Sequence, residues 1–339
     1  MKKYFHLSIK NIFTLIFFSA FWSAITVNAN GHRKETEVIN TEQNIHLNNP
    51  VNKTITLINL PDAFDKLSAK KKTLLIFYAL PNGNSIEWTM GKKMNAGDDW
   101  HYDIQQIAAQ IRYIRTVMKD YNVIVAYMAN ELKSWPSWKR DRKDGPQEIK
   151  RMVDSISGMF QALHPEIMLN SHSGGGSFIF GYIDAVKTIP DQVSRISFID
   201  SEYGYEDSMH TGKLVQWLRS SKKHCLNALA YNDSVVIYNG KPLVSPTGGT
   251  WYRTKLMQQK LAEHFHFKNS ADTSLIYFTE LSNKINIILK TNSEGKIYHT
   301  EQVARNGFIF TVLADSIYQK KAQYRYWGER VYEDFIFPE

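Results

Sequence analysis

The sequence predicts an α/β protein, a mostly parallel sheet with helices on both faces. Two observations carry this. Short, continuously apolar runs such as Thr73–Leu80 (TLLIFYAL) and Val123–Met128 (VIVAYM) have the composition of strands buried on both sides. Between such runs, apolar residues recur at helical spacing, as at Ile104, Ile107, Ala108, Ile111, Ile114 and Met118. Strands that alternate with helices imply right-handed crossovers between parallel neighbours.

The elements follow in order. Lys2, Lys3 and Lys10 precede an apolar stretch from Ile12 to Val27, and Val27-Asn28-Ala29 places small residues where a signal peptidase cuts. Residues 1–29 therefore read as a signal peptide, too short to span a membrane, and the protein as exported, to the periplasm or outside the cell. Residues 30–50 are polar and read as a flexible leader. A single domain is expected over 51–339, with no membrane span in the mature chain. Val51–Leu60 alternates apolar and polar residues and reads as an outer strand. After the strand at Thr73–Leu80 come a helix at Ile104–Met118, a strand at Val123–Met128 and a helix at Pro146–Phe160 with proline in its first turn. A strand at Glu166–Ser171 leads through a glycine-rich turn into a helix at Phe178–Val186. Then come a strand at Ile196–Asp200, a helix at Lys213–Arg219, a strand at Cys225–Tyr231, a last clear strand at Lys284–Lys290 and a helix at Gln302–Ala314.

The rhythm breaks over about 234–283. There Val235–Tyr238 and Leu243-Val244 flank Asn239-Gly240, a hairpin signal, and a helix follows over about Thr250–Phe265. This hairpin-plus-helix segment reads as an insertion beside the carboxyl edge of the sheet, placed to serve as lid or substrate wall.

Composition narrows the function. The chain has 339 residues, 43% hydrophobic and 22% charged, as in ordinary globular proteins. Its net charge is +8, and losing the three lysines of residues 1–29, which hold no acid, leaves +5. That is mild, and no basic run of the nucleic-acid-binding kind occurs, so no nucleic-acid partner is expected. Cys225 is the only cysteine and opens an apolar run, so it reads as a buried core thiol and no internal disulfide is possible.

The chemistry-bearing motif is Ser171-His172-Ser173-Gly174-Gly175, between a buried strand and a helix. It matches the strand-turn-helix elbow that exposes a nucleophilic serine, with Ser171 where glycine is usual. A serine nucleophile needs a base, and the base needs a carboxylate. His299 follows the last clear strand and precedes a core helix. Asp233 follows the strand ending at Tyr231 and is the expected acid; Asp200, ending the strand before, is the alternative. The Gly174 N–H and the loop at Asn82 and Gly83, after the strand TLLIFYAL, are candidates for the oxyanion hole. His172, Trp100, His101 and Trp251 are candidate substrate contacts. The segment Asp98-Asp99-Trp100-His101-Tyr102-Asp103 reads as a helix N-cap, with a metal or substrate site as the alternative. No metal or cofactor is assigned.

The order Ser173, Asp233, His299 on alternating strands and helices resembles the α/β-hydrolase superfamily from about residue 51 to 315. The strings ALPNGNS, GDDWHYDIQ, SHSGGGSFIFGYIDAV and GGTWYR resemble a family of exported bacterial proteins within it. The resemblance implies an α/β-hydrolase-like fold and a shared site, and names no substrate. The expectation is an exported serine esterase working through an acyl-enzyme. Its substrate would be a small-molecule or glycan-linked ester, since sugar faces stack on aromatic side chains such as the loop tryptophans. A peptidase or amidase with the same triad, and a non-catalytic binding protein on the same scaffold, are the alternatives.

Overall fold

The computed structural model describes residues 42–280 and 282–338. The signal-peptide expectation and most of the leader lie outside the described residues. The strands in chain order are β1 (Gln43–Asn49), β2 (Thr54–Leu60), β3 (Lys72–Ala79), β4 (Tyr121–Asn130), β5 (Glu166–His172), β6 (Val193–Ile199), β7 (Cys225–Tyr231), β8 (Ile237–Tyr238), β9 (Lys241–Pro242), β10 (Phe267–Ala271), β11 (Leu275–Glu280) and β12 (Ile285–Lys290). The helices are α1 (Ile86–Met90), α2 (Ile107–Val117), α3 (Trp135–Arg140), α4 (Gly145–Met159), α5 (Gly176–Ala185), α6 (Asp207–Ser220), α7 (Thr250–Ala262), α8 (Glu301–Ala304), α9 (Gly307–Leu313) and α10 (Ile317–Lys321).

Among the described residues, ten strands form one sheet in the order β1-β2-β4-β3-β5-β6-β7-β12-β11-β10. The six central strands, β4 to β12 in that order, pair in parallel; the four outer pairings, β1–β2, β2–β4, β12–β11 and β11–β10, are antiparallel. Residues of β3 are buried on both faces: Leu75, Phe77 and Ala79 join a core with α3, α4, α5, α6 and α7, while Leu74, Ile76 and Tyr78 join a second core with α2, α8, α9 and α10. This is why the strand reads as a continuous apolar run.

The second core contains a polar exception. Asn170, Ser197, Asn227 and Asn286 stand side by side in register across β5, β6, β7 and β12. Asn227 Nδ2 donates to Ser197 Oγ at 3.0 Å and to the Thr311 carbonyl of α9 at 3.2 Å, and Asn170 Nδ2 donates to Thr311 Oγ1 at 2.8 Å. A slip by one residue would leave these buried groups unpaired, so the ladder pins the register.

Four expectations need correction. The polar stretch 30–50 holds a strand, β1, because Ile45 and Leu47 suffice to pack on the core while the polar residues between them face outward. It covers β2, so the strand read at Val51–Leu60 is not the outer one, and it begins only at Thr54. The segment 234–283 is mostly not a lid. Met257 and Leu261 of α7 are core residues, and β10 and β11 extend the sheet. The β8–β9 hairpin stands exposed, with Asn239 and Gly240 both at positive φ as a two-residue turn of this kind requires. The helix expected over Gln302–Ala314 is two. Asn306 adopts a φ of +64° and its side chain donates to the carbonyls of Arg325 and Glu329, which breaks the helix and ties down the C-terminal segment.

Glu42 anchors the start of β1. It pairs with Arg112 at 3.0 Å and with Arg115 at 2.5 Å. Burial pushes the Arg115 guanidinium down to about 10 against the pull of Glu42, so the pair compensates a buried charge. Glu42→Ala should therefore lower the unfolding free energy by about 2 kcal/mol in urea titration. An unchanged midpoint would show that β1 contributes nothing through this pair.

Candidate active site

The strand order itself makes the crevice. From β3 the chain crosses through α2 on one face to β4; it then returns through α4 on the other face to β5, on the far side of β3. The connections leaving the carboxyl ends of β3 and β5 therefore part, and such a point is where open α/β sheets bind their ligands. The loop after β3 carries Asn82 and Gly83, and the turn after β5 carries Ser173.

Ser173 is half-buried and adopts a φ of +55°, a left-handed conformation costly for a residue with a Cβ. It opens a single turn of 3₁₀ helix that runs on into α5. The glycines make the turn possible: a Cβ on Gly174 would overlap the Asn82 side chain, and one on Gly176 would overlap the Ser201 carbonyl. Ser171 departs from the usual glycine without penalty, because its hydroxyl lies 2.7 Å from that of Ser201 and ties β5 to the loop after β6. The Gly174 N–H belongs to the first helical turn, where N–H groups lack an intrahelical acceptor and meet the positive end of the helix dipole. Asn82, exposed, sits against Gly174. Gly83, expected beside it, is different: its N–H donates to the Lys133 carbonyl at 2.8 Å, so it is already engaged.

His299 lies in the loop between β12 and α8 with its side chain 24% exposed. Its Nδ1–H donates to Asp200 Oδ2. Asp200 follows β6 directly, is fully buried and has a φ of +47°. The expected acid, Asp233, does not take this place; its carboxylate is engaged at the start of α7. Asp233 Oδ2 accepts the Thr250 N–H at 2.8 Å, and Oδ1 accepts the Trp251 N–H at 3.4 Å. The Thr250 hydroxyl stands between the two acids, 2.5 Å from Asp200 Oδ1 and 3.2 Å from Asp233 Oδ2.

A third acid completes the cluster. Glu202 is fully buried, and burial first, then Asp200, pushes its carboxyl well above the usual range. Burial, followed by Asp200, pushes Asp233 up to about 6. Crowding of like charges in a dry site thus favours protonation of the two outer acids.

The expected substrate contacts are placed differently from one another. His172 is buried; desolvation holds its imidazole well below the usual range, and its Nε2–H donates to the His299 carbonyl at 3.1 Å. It therefore supports the His299 loop from beneath rather than facing substrate. Trp251 holds Asp233 through its backbone, and its ring packs against the core. Trp100 is 64% exposed and stacks on His101, which stacks on Trp88 of α1, the helix that leaves the Asn82 loop. The acids around this stack are used locally: Asp99 caps the turn by accepting the His101 N–H at 3.0 Å, and Asp103 binds Arg330 at 2.6 Å. Among the described residues, no group of three or more His, Cys, Asp or Glu is arranged to hold a metal, and no helix is long and apolar enough to cross a membrane. Thr250 was not singled out from the sequence; its one signal was its place in the string GGTWYR.

No family model and no curated protein matches the sequence. Solved structures do match. A mutant of the feruloyl esterase module from Clostridium thermocellum, complexed with sinapinate, aligns with a TM-score of 0.50 at 10% identity, over 90% of this chain and 99% of that one. A thermostable esterase aligns with a TM-score of 0.47 at 13% identity, over 82% of this chain and 64% of that one, so this chain spans less than two thirds of that protein. The siderophore hydrolase EstB from Aspergillus nidulans aligns with a TM-score of 0.42 at 11% identity, over 80% and 96% of the two chains. At such identities the likeness speaks for the fold: the central parallel sheet, flanked by antiparallel pairs and covered by helices on both faces, is the α/β-hydrolase fold.

Proposed function

We propose that the protein is a serine hydrolase of carboxylic esters in which Ser173 is the nucleophile, His299 the base and Asp200 the acid that orients it. The observation that carries this is the buried Asp200 carboxylate on His299 Nδ1, in a loop whose backbone is bound by His172, the residue before a serine held at positive φ. With Nδ1–H engaged, His299 Nε2 is the unprotonated nitrogen. Nε2 takes the Ser173 proton as Oγ attacks the acyl carbon. The developing oxyanion is held by N–H groups of the elbow, Gly174 first, and of the Asn82 loop. His299 then protonates the leaving alcohol, and water, deprotonated by the same nitrogen, releases the acid and restores Ser173. The Asp200 carboxylate, held on Nδ1–H, stabilises the imidazolium.

The shared fold of a feruloyl esterase module supports the ester chemistry. The exposed Trp100 face, continuing through His101 to Trp88, is a surface on which a sugar or aromatic ring of the substrate would stack. The signal-peptide reading of residues 1–29 supports a reaction outside the cytoplasm.

Two outcomes test this reading, and a third tests the electrostatics of the acid cluster. Ser173→Ala should remove ester turnover by more than about 10³-fold while the thermal transition stays near wild type; a folded variant with normal turnover excludes Ser173. Asp200→Asn should cost on the order of 10⁴ in kcat, by analogy with the serine-protease acid, whereas Asp233→Asn costs far less. The opposite ranking would return the acid role to Asp233.

The third outcome is a stability measurement. Asp233 binds its proton more tightly folded, at about 6, than at its ordinary 3.8. Its stabilising contribution is thus complete below about pH 4 and is lost as pH rises through about 6. Relative to Asp233→Asn, wild type should gain stability as pH falls from 7 to 4 in denaturant titrations. A difference independent of pH would contradict it.

A further inference from the structure

Asp200 is held from two sides. Oδ2 accepts from His299, and Oδ1 accepts the Thr250 hydroxyl at 2.5 Å. A carboxylate with no solvent access and only one of its oxygens satisfied would rotate toward any other donor, so the Thr250 bond fixes which oxygen faces the imidazole. Thr250 is itself fully buried at the first position of α7. What sets its place is Asp233. That carboxylate takes the N–H groups of Thr250 and Trp251, two of the donors that a helix start leaves without acceptors. Gly249 is what lets it come so close, because a Cβ there would overlap both Asp233 oxygens. A hydroxyl has one proton, and the shorter contact sends it to Asp200 rather than to Asp233, 3.2 Å away.

We propose that Thr250 is a positioning residue for His299, acting through Asp200, and that Asp233 is the residue that sets Thr250. The loop after β7 then supplies the support for an acid provided after β6. This rests on the assignment of Ser173, His299 and Asp200 made above.

The test compares the full-length wild-type protein with Thr250→Val, which keeps the volume and removes the hydroxyl, and with Thr250→Ser, which keeps the hydroxyl. Turnover of 4-nitrophenyl acetate is measured together with the downfield proton resonance of His299 Nδ1–H in water. Thr250→Val should lose about 10- to 100-fold in kcat with KM within about twofold, and its Nδ1–H resonance should move or broaden. Thr250→Ser should return kcat to within about threefold of wild type and restore the resonance. Asp233→Ala should displace the resonance in the same direction by less. If Thr250→Val does not fold, Thr250→Ala is read in the same way. Wild-type kcat, or an unmoved resonance, in the folded hydroxyl-free variant overturns the proposal. Ser173→Ala separates the two readings: if it keeps turnover the hydrolase assignment falls, whereas the resonance still reports whether Thr250 governs the Asp200–His299 pair.

Discussion

At Ser173 the chain has to pass from a strand buried on both faces straight into a buried helix, and it does so at a φ of +55°. Much of the surrounding structure follows from that turn. Its tightness brings Gly174 under Asn82 and Gly176 against the Ser201 carbonyl, so the loops after β3 and β6 converge on one point. The left-handed conformation is sustained because the flanking elements are locked by packing: β5 lies between β3 and β6, and α5 is buried against α3 and α4. A site on such a frame is rigid, which suits chemistry that depends on donors already aimed at a developing charge.

Electrostatics supplies the second constraint. Asp200, Glu202 and Asp233 all lose solvent within one small region. Three ionised carboxyls cannot share a dry site, and burial raises Glu202 and Asp233 toward their neutral forms. The acid beside the imidazole is also the one given a hydroxyl donor at 2.5 Å. The acids are thus differentiated by their partners rather than by their residue type.

The frame was readable because its causes are local. Runs such as TLLIFYAL are apolar throughout only if both faces are covered, and the turn at Ser173 announces itself by small residues between a strand and a helix. β1 was not readable, since two apolar residues among polar ones are too weak a pattern to separate a strand from a leader. Neither was the role of α7, whose buried face consists of Thr250, Thr254, Met257 and Leu261, half of it polar.

The sequence by itself determined the alternation of strands and helices, the elbow, and the positions of Ser173 and His299 relative to the sheet. These depend on periodicity and on neighbours a few residues away. It did not determine which carboxylate meets His299. Asp200 and Asp233 both follow parallel strands and are equivalent in any reading of spacing. The choice between them turned on where a loop about a hundred residues later lays its imidazole, and on Thr250 and Gly249 drawing Asp233 onto a helix start. Contacts between segments so far apart leave no periodic trace, so only the tertiary structure decided them.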